Sequence, residues 1–178
     1  MKKKFILGVS GCIGSGKSTA LDILEKNGWF VIDSDKIVHD LYMPDGLGQR
    51  KILDFFGDEF LLKNGSVNRA KLKKAVFCDA KKLRILNSLI HPLVFTKIVE
   101  ILDKTDALKI ALEAAYFDKS FLGKLINKLI FIERPSFDAG VCVPIDYLPK
   151  KYDLKIVNNS TLKEFAKKVI IAVDKLVE

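Results

Sequence analysis

The hydrophobic positions of this chain fall into two rhythms. Short, nearly unbroken apolar runs lie at residues 5–10 ("FILGVS"), 29–32 ("WFVI"), 107–115 ("ALKIALEAA"), 128–132 ("KLIFI") and 153–158 ("DLKIVN"). Runs of this kind are the pattern of strands covered on both faces. Between the first two, Leu21, Ile23 and Leu24 mark a helix that stops at Asn27 and Gly28, a C-terminal signal. Strand, loop, helix and strand form a βαβ unit, so the sheet is predicted to be parallel.

The second rhythm is helical and occupies most of residues 34–105. Asn68 can cap "RAKLKKAVF" and Asp79 can cap "AKKLRILNSLI". Pro92 suits the first turn of a separate helix, "PLVFTKIVEILDK", with His91 just ahead of it. "KNGSVN" at 63–68 reads as a turn. After the fifth strand, Thr161-x-x-Glu164 is a capping box, and Leu162, Phe165, Ala166, Val169, Val173, Leu176 and Val177 share one helical face. With no repeat, linker or low-complexity tract, the pattern predicts one domain over 1–178, with a helical insertion at about 40–104 between the second and third strands.

Composition narrows the class. The 178 residues are 49% hydrophobic, enough for one substantial core. No apolar run in the sequence approaches the roughly 20 residues of a membrane span. The basic start, Lys2-Lys3-Lys4, precedes an apolar stretch too short for a signal peptide and is broken by Gly11 and Gly14. Cys12, Cys78 and Cys142 have neither zinc spacing nor an even count, so reduced thiols in a cytoplasmic protein are expected. The net charge of +8 is carried by scattered lysines, with only Arg50, Arg69, Arg84 and Arg134 as arginines. Nucleic-acid surfaces cluster their charge, so no nucleic-acid partner is expected; a polyphosphate ligand would still be drawn in.

Candidate chemistry begins with Gly11-x-x-x-x-Gly16-Lys17-Ser18, a P-loop pattern that follows a strand and opens a helix. Its glycines let successive N–H groups face an anion, and the following helix adds its positive end. Lys17 would bridge terminal phosphates, and the Ser18 hydroxyl would ligate Mg²⁺. The expected fold is α/β, a three-layer P-loop NTPase-type fold with a five-stranded parallel sheet flanked by helices. Ligands of such sheets bind beyond the carboxyl ends of the strands, where "VIDSD" places Asp33 and Asp35. A carboxylate there can accept the proton of an acceptor hydroxyl or hold a metal. Asp33 is read as functional and Asp35 as structural. Glu113 closes the third strand, where an acid can act on Mg²⁺. His39 has no such context and is read as surface.

At this point the residues resemble a family. "GCIGSGKST", "VIDSDKIVHDLY", "NGSVNRAKLKKAVF", "LNSLIHPLV" and "IALEAAYF" occur in the order seen in bacterial dephospho-CoA kinases, continuously over about 5–117 and again at "IVNNSTL". The resemblance implies ATP-dependent, Mg²⁺-assisted phosphorylation of the ribose 3′-hydroxyl of dephospho-CoA. It implies that Gly14, Ser15, Gly16, Lys17, Ser18 and Thr19, with Gly11, hold the ATP phosphates. It further implies Asp33 as catalytic base beside Lys17, and Arg69 and His91 in the insertion as acceptor-binding residues.

One region departs from the pattern. Such kinases usually carry a helical lid with several arginines after the fourth strand. Here Pro135, Pro144 and Pro149 share the segment with Arg134 alone, so a reduced lid at about 133–151 is expected. Arg134, Lys150 or Lys151 would then replace the lid arginines, with modest activity. Two rivals follow: a catalytically impaired nucleotide-binding relative, and a shikimate-kinase-like enzyme. The latter would need a triple-glycine turn where this chain has "EAAYFD".

Overall fold

The computed structural model describes residues 3–77, 79–114, 117, 122–135 and 151–177. They form two compact units, Met1–Asp33 with Thr105–Glu178, and Ser34–Lys104.

The first unit is the sheet. Strands β1 (Phe5–Gly11), β2 (Phe30–Asp33), β3 (Lys109–Glu113), β4 (Lys128–Glu133) and β5 (Leu154–Val157) lie in the order β2-β3-β1-β4-β5. All four pairings are parallel, as the apolar runs predict. Leu7 and Val9 of β1 and Ile130 and Ile132 of β4 are buried on one face. Against them pack Ala20, Leu21 and Leu24 of helix α1 (Lys17–Lys26) and Phe165, Val169, Ala172 and Val173 of helix α6 (Leu162–Val177). Two side chains extend the ladders where strands begin. Asn127 accepts the Ile6 N–H at 2.7 Å and donates its own N–H to the Ile6 carbonyl at 2.8 Å. Asp153 does the same for Leu129, at 2.8 Å each way, and also pairs with Lys128 at 2.9 Å. Partial burial pushes the Asp153 carboxyl up, but the Leu129 N–H and Lys128 outweigh it and hold it below the usual range.

Helix ends follow the sequence signals. Asn27 Nδ2 donates to the Ile23 carbonyl at 2.7 Å, and Gly28 turns the chain at a φ of 81°. The capping box before α6 forms reciprocally: Thr161 N–H donates to Glu164 Oε2 at 3.1 Å, and Glu164 N–H to Thr161 Oγ1 at 3.4 Å. One expected core position is not buried: Leu162, the first residue of α6, is 67% exposed, whereas Ala172 takes a buried place. The helix begins before its apolar face meets the sheet.

The second unit is helical: α2 (Ser34–Leu41), α3 (Leu47–Phe56), α4 (Arg69–Phe77) and α5 (Ala80–Lys104). A short hairpin at residues 61–67 precedes α4, with Leu61 and Val67 bridged and Gly65 at a φ of 81°. Asn68 Oδ1 caps α4 by accepting the Lys71 N–H at 3.0 Å. Asp79 Oδ1 caps α5 through the N–H groups of Lys81 and Lys82, at 2.9 and 3.1 Å.

Pro92 corrects the sequence reading. It does not start a new helix; α5 runs through it for 25 residues. A proline inside a helix removes one backbone bond and crowds the preceding turn. Ile90, Val94, Ile98 and Leu102 are buried at four-residue spacing on both sides of it, and that continuous stripe holds the two halves on one axis. By length and composition alone α5 could cross a membrane, unlike the expectation drawn from apolar runs; the stripe of Ile90, Val94, Ile98 and Leu102 is buried within the chain. Pro92→Ala is therefore expected to raise unfolding stability by about 2 kcal/mol in urea titration. An unchanged or lowered stability would mean that the helix needs the proline to follow its course.

Candidate active site

The central strand delivers the chain to the glycine loop at Gly11. A Cβ on Gly11 would collide with the Ile132 carbonyl oxygen of β4 and lie 2.6 Å from Ser15 Oγ, so no side chain fits. Gly14 and Gly16 hold left-handed conformations, with φ of 74° and 102°. The Ser15 N–H closes the turn onto the Cys12 carbonyl at 3.1 Å, and the Ser15 side chain is buried. Gly16 then precedes α1 with no side-chain cap, which leaves the first-turn N–H groups of that helix to an anion. Ser18 is exposed and Thr19 half-buried on that turn. Cys12 carries a free thiol.

Lys17 and Glu113 meet at this end of the sheet. Lys17 Nζ donates to the Cys12 carbonyl at 3.1 Å and lies 3.9 Å from Glu113 Oε1. Their side chains are only 12% and 5% exposed. Glu113 ends β3 beside β1, in register with Val9, and on its other side pairs in register with Asp33, the last residue of β2. Three candidate residues thus come together from separate parts of the sequence. The Lys17/Glu113 contact was not legible in the spacing, because it joins residues 96 positions apart whose strands are brought together only by sheet order.

The remaining candidates belong to the helical unit. Arg69 is exposed on the first turn of α4, and its charge acts on the buried Tyr42. Burial pushes the Tyr42 phenol up to about 12, against the opposing pull of that guanidinium. His91 is half-buried, but it lies within α5 and not ahead of a helix. Asp35 and His39 are exposed on α2. Of the residues expected to form a reduced lid, Arg134 and Lys151 are exposed; Lys150 and the rest of 136–150 lie outside the described residues, as do Cys78 and Cys142.

Sequence reasoning missed Asn158. "IVNNSTL" entered only as part of the family resemblance, with no role for its side chains, yet the Asn158 side chain donates to the Ser15 carbonyl at 2.8 Å. No local pattern announces a hydrogen bond across 143 residues.

Comparison with known proteins then adds what geometry does not. The family model for dephospho-CoA kinase matches residues 5–133. The dephospho-CoA kinase of Fusobacterium nucleatum is 33% identical over 92% of this chain and 94% of its own. That of Lactococcus lactis is also 33% identical, over 93% of this chain and 81% of its own. The solved dephospho-CoA kinase from Campylobacter jejuni superposes with a TM-score of 0.61 at 26% identity, covering 97% of both chains.

A nearly buried ion pair leaves an uncompensated charge when one partner is removed. Glu113→Gln and Lys17→Met should each destabilise the chain by more than about 1 kcal/mol, and the double variant by less than their sum. Urea unfolding of the four chains measures that coupling. Additivity within about 0.3 kcal/mol would show that the two groups do not sense each other.

Proposed function

The chain belongs to the dephospho-CoA kinase family and is an ATP-dependent kinase of the ribose 3′-hydroxyl of dephospho-CoA, giving CoA; we propose how its residues divide that work. The observation that carries the assignment is the meeting of Lys17, Glu113 and Asp33 at the carboxyl end of the sheet, beside a loop with no side chain at Gly11, Gly14 or Gly16.

In this reading the N–H groups of residues 14–19 donate to the ATP phosphates. Lys17 has three N–H donors; the Cys12 carbonyl takes one and Glu113 lies near a second, so a further one serves the phosphates from a fixed position. Asp33 takes the proton of the 3′-hydroxyl as its oxygen attacks the γ-phosphorus and the bond to ADP breaks. Arg69 and His91 bind the acceptor, the guanidinium being suited to a phosphate group. The two units act as one kinase domain, with the helical unit as its acceptor-binding insertion.

Mg²⁺ fits the donors present. Ser18 and Glu113 offer only oxygen, and no group of three or more His, Cys, Asp and Glu able to hold a metal occurs among the described residues. That suits an ion that keeps several waters and arrives with the nucleotide. When bound, it would neutralise charge on the transferring phosphoryl group. A cytoplasmic enzyme with a small-molecule acceptor, and with neither nucleic acid nor membrane as partner, accords with this reading. Arg134, Lys150 or Lys151 would stand in for the family's lid arginines.

A coupled ADP-release assay with Mg-ATP, with and without dephospho-CoA, tests the division of labour. Asp33→Asn should lower kcat by about 10²–10⁴ and leave ATP affinity nearly unchanged. Arg69→Ala should raise KM for dephospho-CoA more than it lowers kcat. If Asp33→Asn keeps wild-type turnover, Asp33 is not the base. Nucleotide binding without acceptor-dependent ADP release would favour an impaired relative.

A further inference from the structure

One side chain reaches the phosphate loop from the far edge of the sheet. Asn158 follows β5, and its Nδ2 donates to the Ser15 carbonyl at 2.8 Å. Gly16 makes room for it, since a Cβ there would lie 2.5 Å from that nitrogen. Ser15 supplies no alternative anchor: its hydroxyl is buried beside Gly11 and finds no hydrogen-bond partner.

The Asn158 backbone is itself firmly mounted. Its main-chain N–H donates to the Glu133 carbonyl at 2.7 Å, tying the residue to the end of β4. Lys168 of α6 donates to the Val157 carbonyl at 3.2 Å and to Asn159 Oδ1 at 3.0 Å, one residue to either side. The α6 capping box starts three residues further on. This short turn is therefore braced by β4 and by α6.

The consequence lies in the peptide between Ser15 and Gly16. A trans peptide is planar, so its C=O and N–H point in opposite directions. Holding the Ser15 carbonyl on Asn158 turns the Gly16 N–H away from Asn158. Glycine tolerates both orientations of its preceding peptide, and a flip would exchange a donor for a carbonyl oxygen in a loop that must present donors to an anion. We propose that Asn158 is a positioning residue for the phosphate loop: its carboxamide locks the peptide between Ser15 and Gly16 in the orientation that leaves the Gly16 N–H to a phosphate oxygen. This inference rests on the phosphate-loop reading of residues 11–18.

Calorimetric titration of the full chain with Mg-pyrophosphate and with Mg-ADP tests it in wild type, Asn158→Ala and Asn158→Asp. Positioning predicts that both ligands lose affinity by the same factor, about tenfold, since loss of one partly buried hydrogen bond acts on the part they share. The aspartate should be the worse variant, because its carboxylate repels the Ser15 carbonyl. Unchanged pyrophosphate affinity overturns the proposal; if ADP alone weakens, Asn158 acts on the nucleoside. Wild type that does not bind pyrophosphate would bring down the phosphate-loop reading and this inference together. Should the variants not fold, ¹⁵N spectra of wild type serve instead. One Asn158 Nδ2 proton protected from exchange, and shifting with the Gly16 N–H as pyrophosphate is added, supports the lock. An unprotected one that ignores the titration overturns it.

Discussion

Lys17 and Glu113 face each other 3.9 Å apart in a place where water hardly reaches. An ammonium or a carboxylate alone in such a place would be costly to keep charged, so each requires the other. Much of the architecture can be read as the means of bringing them there. Glu113 can reach the loop because β3 lies directly beside β1, although β2 comes between them in the chain. The Cys12 carbonyl fixes the remaining freedom of the ammonium at 3.1 Å. The contact is long for a hydrogen bond, so Glu113 holds Lys17 by charge more than by direction.

Close approach is the second constraint, and it falls on glycine. Gly11 has the Ile132 carbonyl against it and Gly16 has Asn158. In both places the absent side chain is what permits a neighbouring strand end to touch the loop. The glycines of the phosphate pattern therefore do two tasks here, giving the loop its conformation and letting β4 and the turn after β5 support it.

What the sequence made legible was the part governed by local rules. Strands, caps and turns were readable because Asn27, Asn68, Asp79 and Thr161 each act on backbone within four residues. Pro92 was misread because local rules treat proline as a helix start, whereas burial of Ile90, Val94, Ile98 and Leu102 along one face overrides it. At the site, Lys17, Asp33 and Glu113 were recognisable by type and position. The contact between Lys17 and Glu113 was not, and neither was that of Asn158, because both depend on strand order and not on spacing.

Phosphoryl transfer leaves a protein little covalent work, so rate comes from holding groups where charge develops. A flexible glycine loop is a poor platform for that unless something outside it removes its freedom. Here the constraint arrives from both sides: Glu113 at the end of β3 sets the lysine, and Asn158 after β5 holds the Ser15 carbonyl. The backbone of β4 closes on the loop between them at Gly11. Each support comes from a different strand, and none is part of the phosphate pattern itself. A chain could therefore keep every residue of the pattern and still lose the donor geometry, if the strand ends around it changed.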